Sequence, residues 1–225
     1  MFERFAIFYT PSEAPFANFG AAWLGWDSAR GTLVAHQDIQ GLDMSALTAT
    51  PRKYGFHATL TAPFYLASGT TKDALRAGVD AFAALHAPVS LGALALSVRG
   101  GFLSLRPKAD VPQLRSLAEA VVRELDEFRA PLSEADIARR HSARLTPRQE
   151  QRLLEWGYPF VFEDFHFHMT LSGRLGRDKA DGIAALAEGA VTAALPVRPT
   201  LDAITLMGQD ADGMFHQLHR AALVG

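Results

Sequence analysis

The sequence predicts an α+β protein of two pseudo-symmetric lobes, each an antiparallel sheet with helices packed outside, and an active cleft between them. Three observations predict it. Phe56-His57-Ala58-Thr59-Leu60 is echoed by Phe167-His168-Met169-Thr170-Leu171, the histidines lying 111 positions apart (168 − 57). After each copy the same elements recur in the same order: helix, strand, turn, strand. Between the halves lies a helical insert, about residues 111–157, with no low-complexity linker, so the chain 1–225 reads as one bilobal domain.

Each element has a local reason. Phe2 to Thr10 is rich in aromatic and branched residues and reads as a strand that Pro11 ends. Ser12 is a candidate N-cap for a helix in which Phe16, Phe19, Trp23 and Leu24 recur at helical spacing up to Gly25. A turn-rich stretch through Gly31 and Gly41 then reaches Pro51. The first motif strand, near 54–60, is closed by Pro63. A helix over about 71–86, a strand over 89–98, a Gly100-Gly101 turn and a strand over 102–106 follow. In the insert, Pro112 suits the first turn of a helix over 111–128. Ser133 with Asp136, and Thr146-Pro147 with Gln149 and Glu150, mark the starts of two shorter helices. After the second motif strand, near 165–171, come a helix over about 177–189, a strand over 197–207, a turn through Asp210, Asp212 and Gly213, and a strand over 214–222.

The composition sets limits. Apolar residues make up 48% of the 225, enough for a sizeable core. The absence of cysteine excludes disulfides, a thiolate nucleophile and Cys-type zinc sites, and fits a cytoplasmic protein. Neither a signal-peptide layout nor an apolar run of roughly 18 residues is expected here, so no membrane partner is. The 22 basic and 24 acidic residues give a net charge of −2, which argues against long nucleic acid as a partner. A local basic cleft for one or two phosphates stays open, because only 4 of the basic residues are lysine and arginine suits bidentate phosphate contacts. Nothing in the sequence signals an oligomeric state.

In a strand successive side chains alternate faces, so His57 and Thr59 share one face while Phe56, Ala58 and Leu60 share the other. His168 and Thr170 stand likewise over Phe167, Met169 and Leu171. Two histidines and two hydroxyls in one cleft suit acid–base chemistry on a phosphate, one imidazole neutral and one protonated, with the hydroxyls donating to non-bridging oxygens. The pseudo-symmetry leaves base and acid open; the reading adopted here takes His168 as base and His57 as acid. Arg52, Lys53 and Tyr54 precede the first strand as candidate substrate ligands, although strict alternation gives Tyr54 the buried side unless the strand begins after it. Arg174 after the second motif is a further candidate, as are Arg139 and Arg140 in the insert. His166 shares a face with His168, which raises a metal site with His216 or His219. Metal sites need converging ligands and usually mix in carboxylates, and no HExxH-like helix is present, so no metal or cofactor is expected. His36, His86 and His141 read as surface or capping residues.

The paired His-x-Thr-Leu signatures resemble the two-histidine (2H) phosphoesterase superfamily over essentially the whole chain. More narrowly, Pro51-Arg52-Lys53-Tyr54-Gly55-Phe56-His57-Ala58-Thr59-Leu60 resembles the branch associated with bacterial phosphonate-utilisation operons (DUF1045-like). So do Leu145-Thr146-Pro147-Arg148-Gln149, Trp156-Gly157-Tyr158-Pro159 and Phe165-His166-Phe167-His168-Met169-Thr170-Leu171. The resemblance implies metal-independent hydrolysis of a cyclic phosphodiester, with catalysis by His57, Thr59, His168 and Thr170. It implies as substrate a small phosphorylated sugar of phosphonate metabolism. The rivals are a 2′,3′-cyclic phosphodiesterase or ligase on RNA ends and a non-catalytic RNA- or nucleotide-binding module. The intact histidine pair argues against the module.

Overall fold

Alternation shapes the first strand, β1 (Arg4–Tyr9): Phe5, Ile7 and Tyr9 join the main core, while Ala6 and Phe8 join a small cluster on the opposite face. The computed structural model describes residues 2–141 and 145–225, with 139–141 and 177 described in backbone only, so the side chains of Arg139, Arg140 and His141 lie outside the described residues. Helix α1 (Ala14–Leu24) buries Phe16, Phe19, Trp23 and Leu24 and ends at Gly25 in the left-handed conformation. Glu13, not Ser12, is its N-cap; Ser12 Oγ donates to Asp202 instead. The turn-rich stretch holds a small hairpin, β2 (Trp26–Asp27) and β3 (Thr32–Leu33), and helix α2 (Met44–Thr48) capped by Asp43.

A single turn of 3-10 helix, Pro51–Tyr54, leads to β4 (Ala58–Phe64), so the first motif strand begins later than expected and runs through Pro63. Thr71 caps α3 (Lys72–Leu85) by accepting from the Ala74 amide. The expected strand over 89–98 is two pieces, β5 (Val89–Ser90) and β6 (Leu94–Arg99), because Gly92 turns at φ +63° between them. β7 (Phe102–Pro107) closes a hairpin with β6. In the insert, α4 (Pro112–Glu124) stops short of Phe128 in another 3-10 turn. α5 (Glu134–His141) follows Ser133, whose hydroxyl accepts from the Asp136 amide. α6 (Pro147–Trp156) opens with the Thr146/Gln149 capping box. The second motif strand shrinks to β8 (Met169–Thr170). After it α7 runs on to Ala194 (Arg177–Ala194), followed by β9 (Thr200–Leu201), β10 (Ala203–Gln209) and β11 (Phe215–Ala222).

The fold is α+β and its large sheet is antiparallel. Seven strands run β11-β10-β1-β4-β8-β7-β6, and its two halves meet where Ala58 of β4 pairs with Met169 of β8. The halves are not consecutive in sequence. The β6–β7 hairpin, which follows the first motif, pairs with the second motif strand β8. The β10–β11 hairpin, which follows the second motif, pairs through β1 with the first motif strand β4. The expected lobes therefore exchange hairpins, while α3 packs on β10 and β11 and α7 on β6 and β7. Such an exchange is invisible to a reading of element order, which fixes the elements but not the pairing of distant strands.

The helices cover one face of the sheet and bury Leu60, Leu105, Met169 and Leu171 beneath Trp23, Leu75, Val79, Leu117 and Val121. At roughly 1.5–3 kcal/mol per fully buried large apolar side chain, this face carries most of the stability. The opposite face carries the smaller cluster Ala6, Phe8, Met207 and Phe215 against Tyr54, and opens at the motif residues His57, Thr59, His168 and Thr170, which are half-exposed.

Candidate active site

The motifs are built from the buried side upward. Phe56 (5% exposed) and Phe167 (6%) anchor the two segments, with Ala58, Met169 and Leu171 fully enclosed. A Cβ at Gly20 would overlap the Phe56 ring, so that glycine is what lets α1 close over the first motif. Trp23 on the same helix donates its indole N–H to the Leu171 carbonyl at 2.8 Å, tying α1 to the second motif too.

With Ala58 opposite Met169, continuing the antiparallel register one residue each way sets His57 opposite Thr170 and Thr59 opposite His168. All four then rise from the open face, across the seam between the halves. The two histidines are diagonal neighbours, about 7–8 Å apart on an antiparallel ladder. Each imidazole is oriented by the backbone two residues upstream: Nδ1 of His57 lies 2.9 Å from the Gly55 carbonyl and Nδ1 of His168 lies 2.7 Å from the His166 carbonyl. A carbonyl only accepts, so Nδ1 carries the proton in both rings and Nε2 presents its lone pair. Gly55 makes this possible in the first copy, because its φ of +74° turns the chain into the motif.

The surroundings of the two rings differ. His57 stacks on Phe8 with centroids 3.9 Å apart, and Tyr54 stacks over it at 5.8 Å. Its Nε2 accepts from the Thr59 hydroxyl at 3.1 Å. Burial pushes its pKa down to about 4, against the pull of the Gly55 carbonyl, and the nearby His168 lowers it further. His168 is also lowered, first by burial and then by the Arg106 and His166 charges, against the favourable His166 carbonyl. Both imidazoles are neutral in the free protein near pH 7.

Tyr54 reaches the site because the 3-10 turn, not a strand, carries it: the ring sits between His57 and Phe215 rather than in the main core. Arg52 does not reach it. Its guanidinium donates to the Leu24 carbonyl, the Ser45 carbonyl, Thr48 Oγ1 and His36 Nε2, so it clamps α1 to α2. Lys53 is exposed beside that turn. Arg174 is exposed too, and the β7–β8 register carries it toward the Gly100-Gly101 turn, six residues beyond His168. The three histidines raised as metal ligands are apart: His216 pairs with Asp210 at 2.7 Å, and His219 pairs with Asp80 on α3. Among the described residues no group of three or more His, Asp or Glu side chains is set to hold a metal. His36 Nδ1 donates to the Trp23 carbonyl, and His86 stacks on Phe82 beside Glu124.

Two residues were missed by motif reading. Phe8 was read only as a strand residue, and its partner His57 lies 49 positions away (57 − 8). The β7 register, Ser104 opposite Thr170 and Leu105 opposite Met169, sets Arg106 opposite His168. Arg106 bonds the buried Ser104 hydroxyl at 3.2 Å and stands half-buried on the open face. The available signal was the alternation Ser104-x-Arg106 in a predicted strand, which becomes meaningful only once β7 is known to lie against β8.

The segments that flank the motifs are scaffolding. Arg148 grips Asp164 with two donors, at 3.1 and 2.9 Å, and Gln149 adds a third contact. Phe162, in the 3-10 turn Phe162–Asp164 before the second motif, has φ +57°, an uncommon conformation for a bulky residue. Arg123 and Arg152 stack over its ring at 4.4 and 4.6 Å, and Trp156 meets it edge-on.

Comparison with known proteins adds a family and an incomplete overlap. Residues 59–216 match the family model described as "Protein of unknown function (DUF1045)". The ribose 1,5-bisphosphate phosphokinase PhnN of Janthinobacterium sp. (strain Marseille) is 35% identical over 220 residues, covering 93% of this chain and 48% of that protein. The protein of the same name from Laribacter hongkongensis (strain HLHK9) is 34% identical over 173 residues, covering 76% of this chain and 40% of that one. The chain thus spans about half the length of the curated relatives it matches. Among solved structures, E. coli LigT in apo form aligns over 99% of this chain and 98% of its own, with 14% identity and a TM-score of 0.48. LigT complexed with 3′-AMP aligns over 100% of both chains with 13% identity and a TM-score of 0.45. No helix of the described residues is long and apolar enough to cross a membrane.

Proposed function

Because this chain belongs to the DUF1045 family, and its two His-x-Thr motifs face each other across one seam, we propose that it hydrolyses a cyclic phosphodiester without a metal. The observation that carries the reading is the Ala58–Met169 pair, which makes His57 and His168 diagonal neighbours over an open face. That span suits one phosphate held between two Nε2 atoms.

In the proposed step a water oxygen attacks phosphorus while the bond to the ring ester oxygen breaks on the opposite side. One histidine takes the water's proton at Nε2; the other, protonated at Nε2, gives its proton to the departing oxygen, and a phosphomonoester results. The electrostatics favour His57 as base and His168 as acid, the reverse of the assignment adopted from sequence, because His57 is the more strongly held neutral. In the free protein the Thr59 hydroxyl occupies the His57 lone pair. A bound phosphate would draw that hydroxyl to a non-bridging oxygen and free Nε2 for water, with Thr170 donating from the other motif.

A small phosphorylated sugar remains the substrate class proposed here. It is supported by the motif resemblance to the phosphonate-associated branch and by relatives named for a kinase of ribose 1,5-bisphosphate. The test is turnover of simple five-membered cyclic phosphates after exhaustive EDTA treatment. Retained release of phosphomonoester is the expected result; loss restored by one divalent ion would overturn the metal-free mechanism, and tight binding without turnover would favour a recognition module.

A further inference from the structure

Just before His168, at His166 and Phe167, the second motif borders a groove of about 480 Å³, within the range of small-ligand sites (about 300–1,000 Å³). Its charge is lopsided. Arg99, Arg106, Lys108 and Arg115 line it against two carboxylates, Asp110 and Glu163. Both carboxylates are already engaged: Asp110 with Arg115 at 2.6 Å and Glu163 with Arg152 at 3.6 Å. Arg99 and Arg106 have no carboxylate partner among the described residues, and they stand on the same face of the β6–β7 hairpin near enough to repel one another. Two guanidiniums without a carboxylate partner on one face, Arg106 half-buried and Arg99 exposed, are stabilised by an anion between them, and their fork geometry matches phosphate oxygens.

From this groove and its register we infer that Arg99 and Arg106 form a second anion subsite, so that the substrate carries a second phosphate on the His168 side. The inference rests on the phosphodiesterase reading, in which the seam holds the reacting phosphate. It adds a direction: with His168 as acid, the ring oxygen that leaves phosphorus lies on the His168 side, and the second phosphate is carried there on the same polyol, which stays esterified to phosphorus through its other oxygen. Arg106, opposite His168, is the nearer of the two to the reacting centre, and exposed Arg99 reaches the outer end. A chain of net charge −2 with one such patch fits a small bisphosphorylated molecule better than a polynucleotide.

The experiment compares glycerol 1,2-cyclic phosphate with its 3-phosphorylated form. In the wild type the second phosphate should raise kcat/KM by about tenfold or more, the scale of one charged hydrogen bond. Arg99→Gln and Arg106→Gln should each shrink that ratio, whereas Thr59→Ala should lower both substrates and leave the ratio standing. A wild-type ratio near one, or a ratio that survives both arginine substitutions, overturns the subsite. If neither compound is turned over, the hydrolase reading fails separately and calorimetry decides. Glycerol 1,3-bisphosphate binding about tenfold tighter than glycerol 1-phosphate, with the advantage lost in Arg99→Gln, upholds the subsite; equal binding overturns it.

Discussion

His57 and His168 share a motif, a tautomer and a sheet face, yet one is enclosed by aromatic rings and the other by charges. Phe8 and Tyr54 flank His57, whose lone pair is bonded to Thr59. His168 has Arg106 across the β7–β8 ladder and the His166 imidazole nearby, and the Thr170 hydroxyl beside it has no hydrogen-bond partner among the described residues. In the proposed reaction a repeated motif thus supplies two equivalent groups, and the non-equivalent neighbours divide the roles. Rings that exclude water hold an imidazole neutral, ready to accept a proton. In the proposed reaction the cations on the other side draw an anionic substrate in, and the anion in turn favours the protonated form of His168.

The largest expected effect breaks the pair itself. His57→Ala and His168→Ala should each cost about 10²–10⁴-fold in kcat/KM, measured on any cyclic phosphate that the wild type hydrolyses. The double variant should lose less than the product of the two, because the histidines act on one phosphate as a unit. Near-full turnover in either folded single variant would dissolve the comparison. The hydroxyls sharpen it at a smaller scale. Thr59→Ala and Thr170→Ala should each cost about tenfold to a hundredfold, the worth of one hydroxyl donor to the phosphate oxygens. Only Thr59→Ala should also move the acidic limb of the pH–rate profile, since only Thr59 touches its histidine.

The smallest effects concern the free protein. Tyr54→Leu should let water nearer His57 and raise its pKa from about 4 toward 6.5, read by histidine NMR. Folding stability should also climb with pH between about 4 and 6.5, because the unfolded imidazole takes a proton in that window and the folded one does not. The contribution is complete above 6.5 and is lost as pH falls through about 4, and His57→Gln should flatten that slope in denaturant titrations.

Much of the site was legible because it depends on alternation alone. Phe56, Ala58, Leu60, Phe167, Met169 and Leu171 are buried as a period of two demands, and the capping box at Thr146 was readable residue by residue. What alternation does not encode is which strand lies beside which. Arg106 and Phe8 belong to the site only through the β7–β8 and β1–β4 registers, so neither carried a signal of its own. Arg52 shows the converse. A cation next to a motif looks like a ligand for phosphate, but its donors are consumed by the Leu24 and Ser45 carbonyls, and its chemistry is that of a clamp. Tyr54 moved the other way, from the core side to the site side, when Gly55 turned the chain after it.

The central claim is that both histidines address one anion across the β4–β8 seam, and NMR titration of the two imidazoles with and without saturating inorganic phosphate tests it most directly. Free, His57 should titrate near 4 and His168 below 6.5; with phosphate bound, both should rise together, because the anion stabilises each imidazolium. A rise confined to one ring, or to neither, would contradict the shared site.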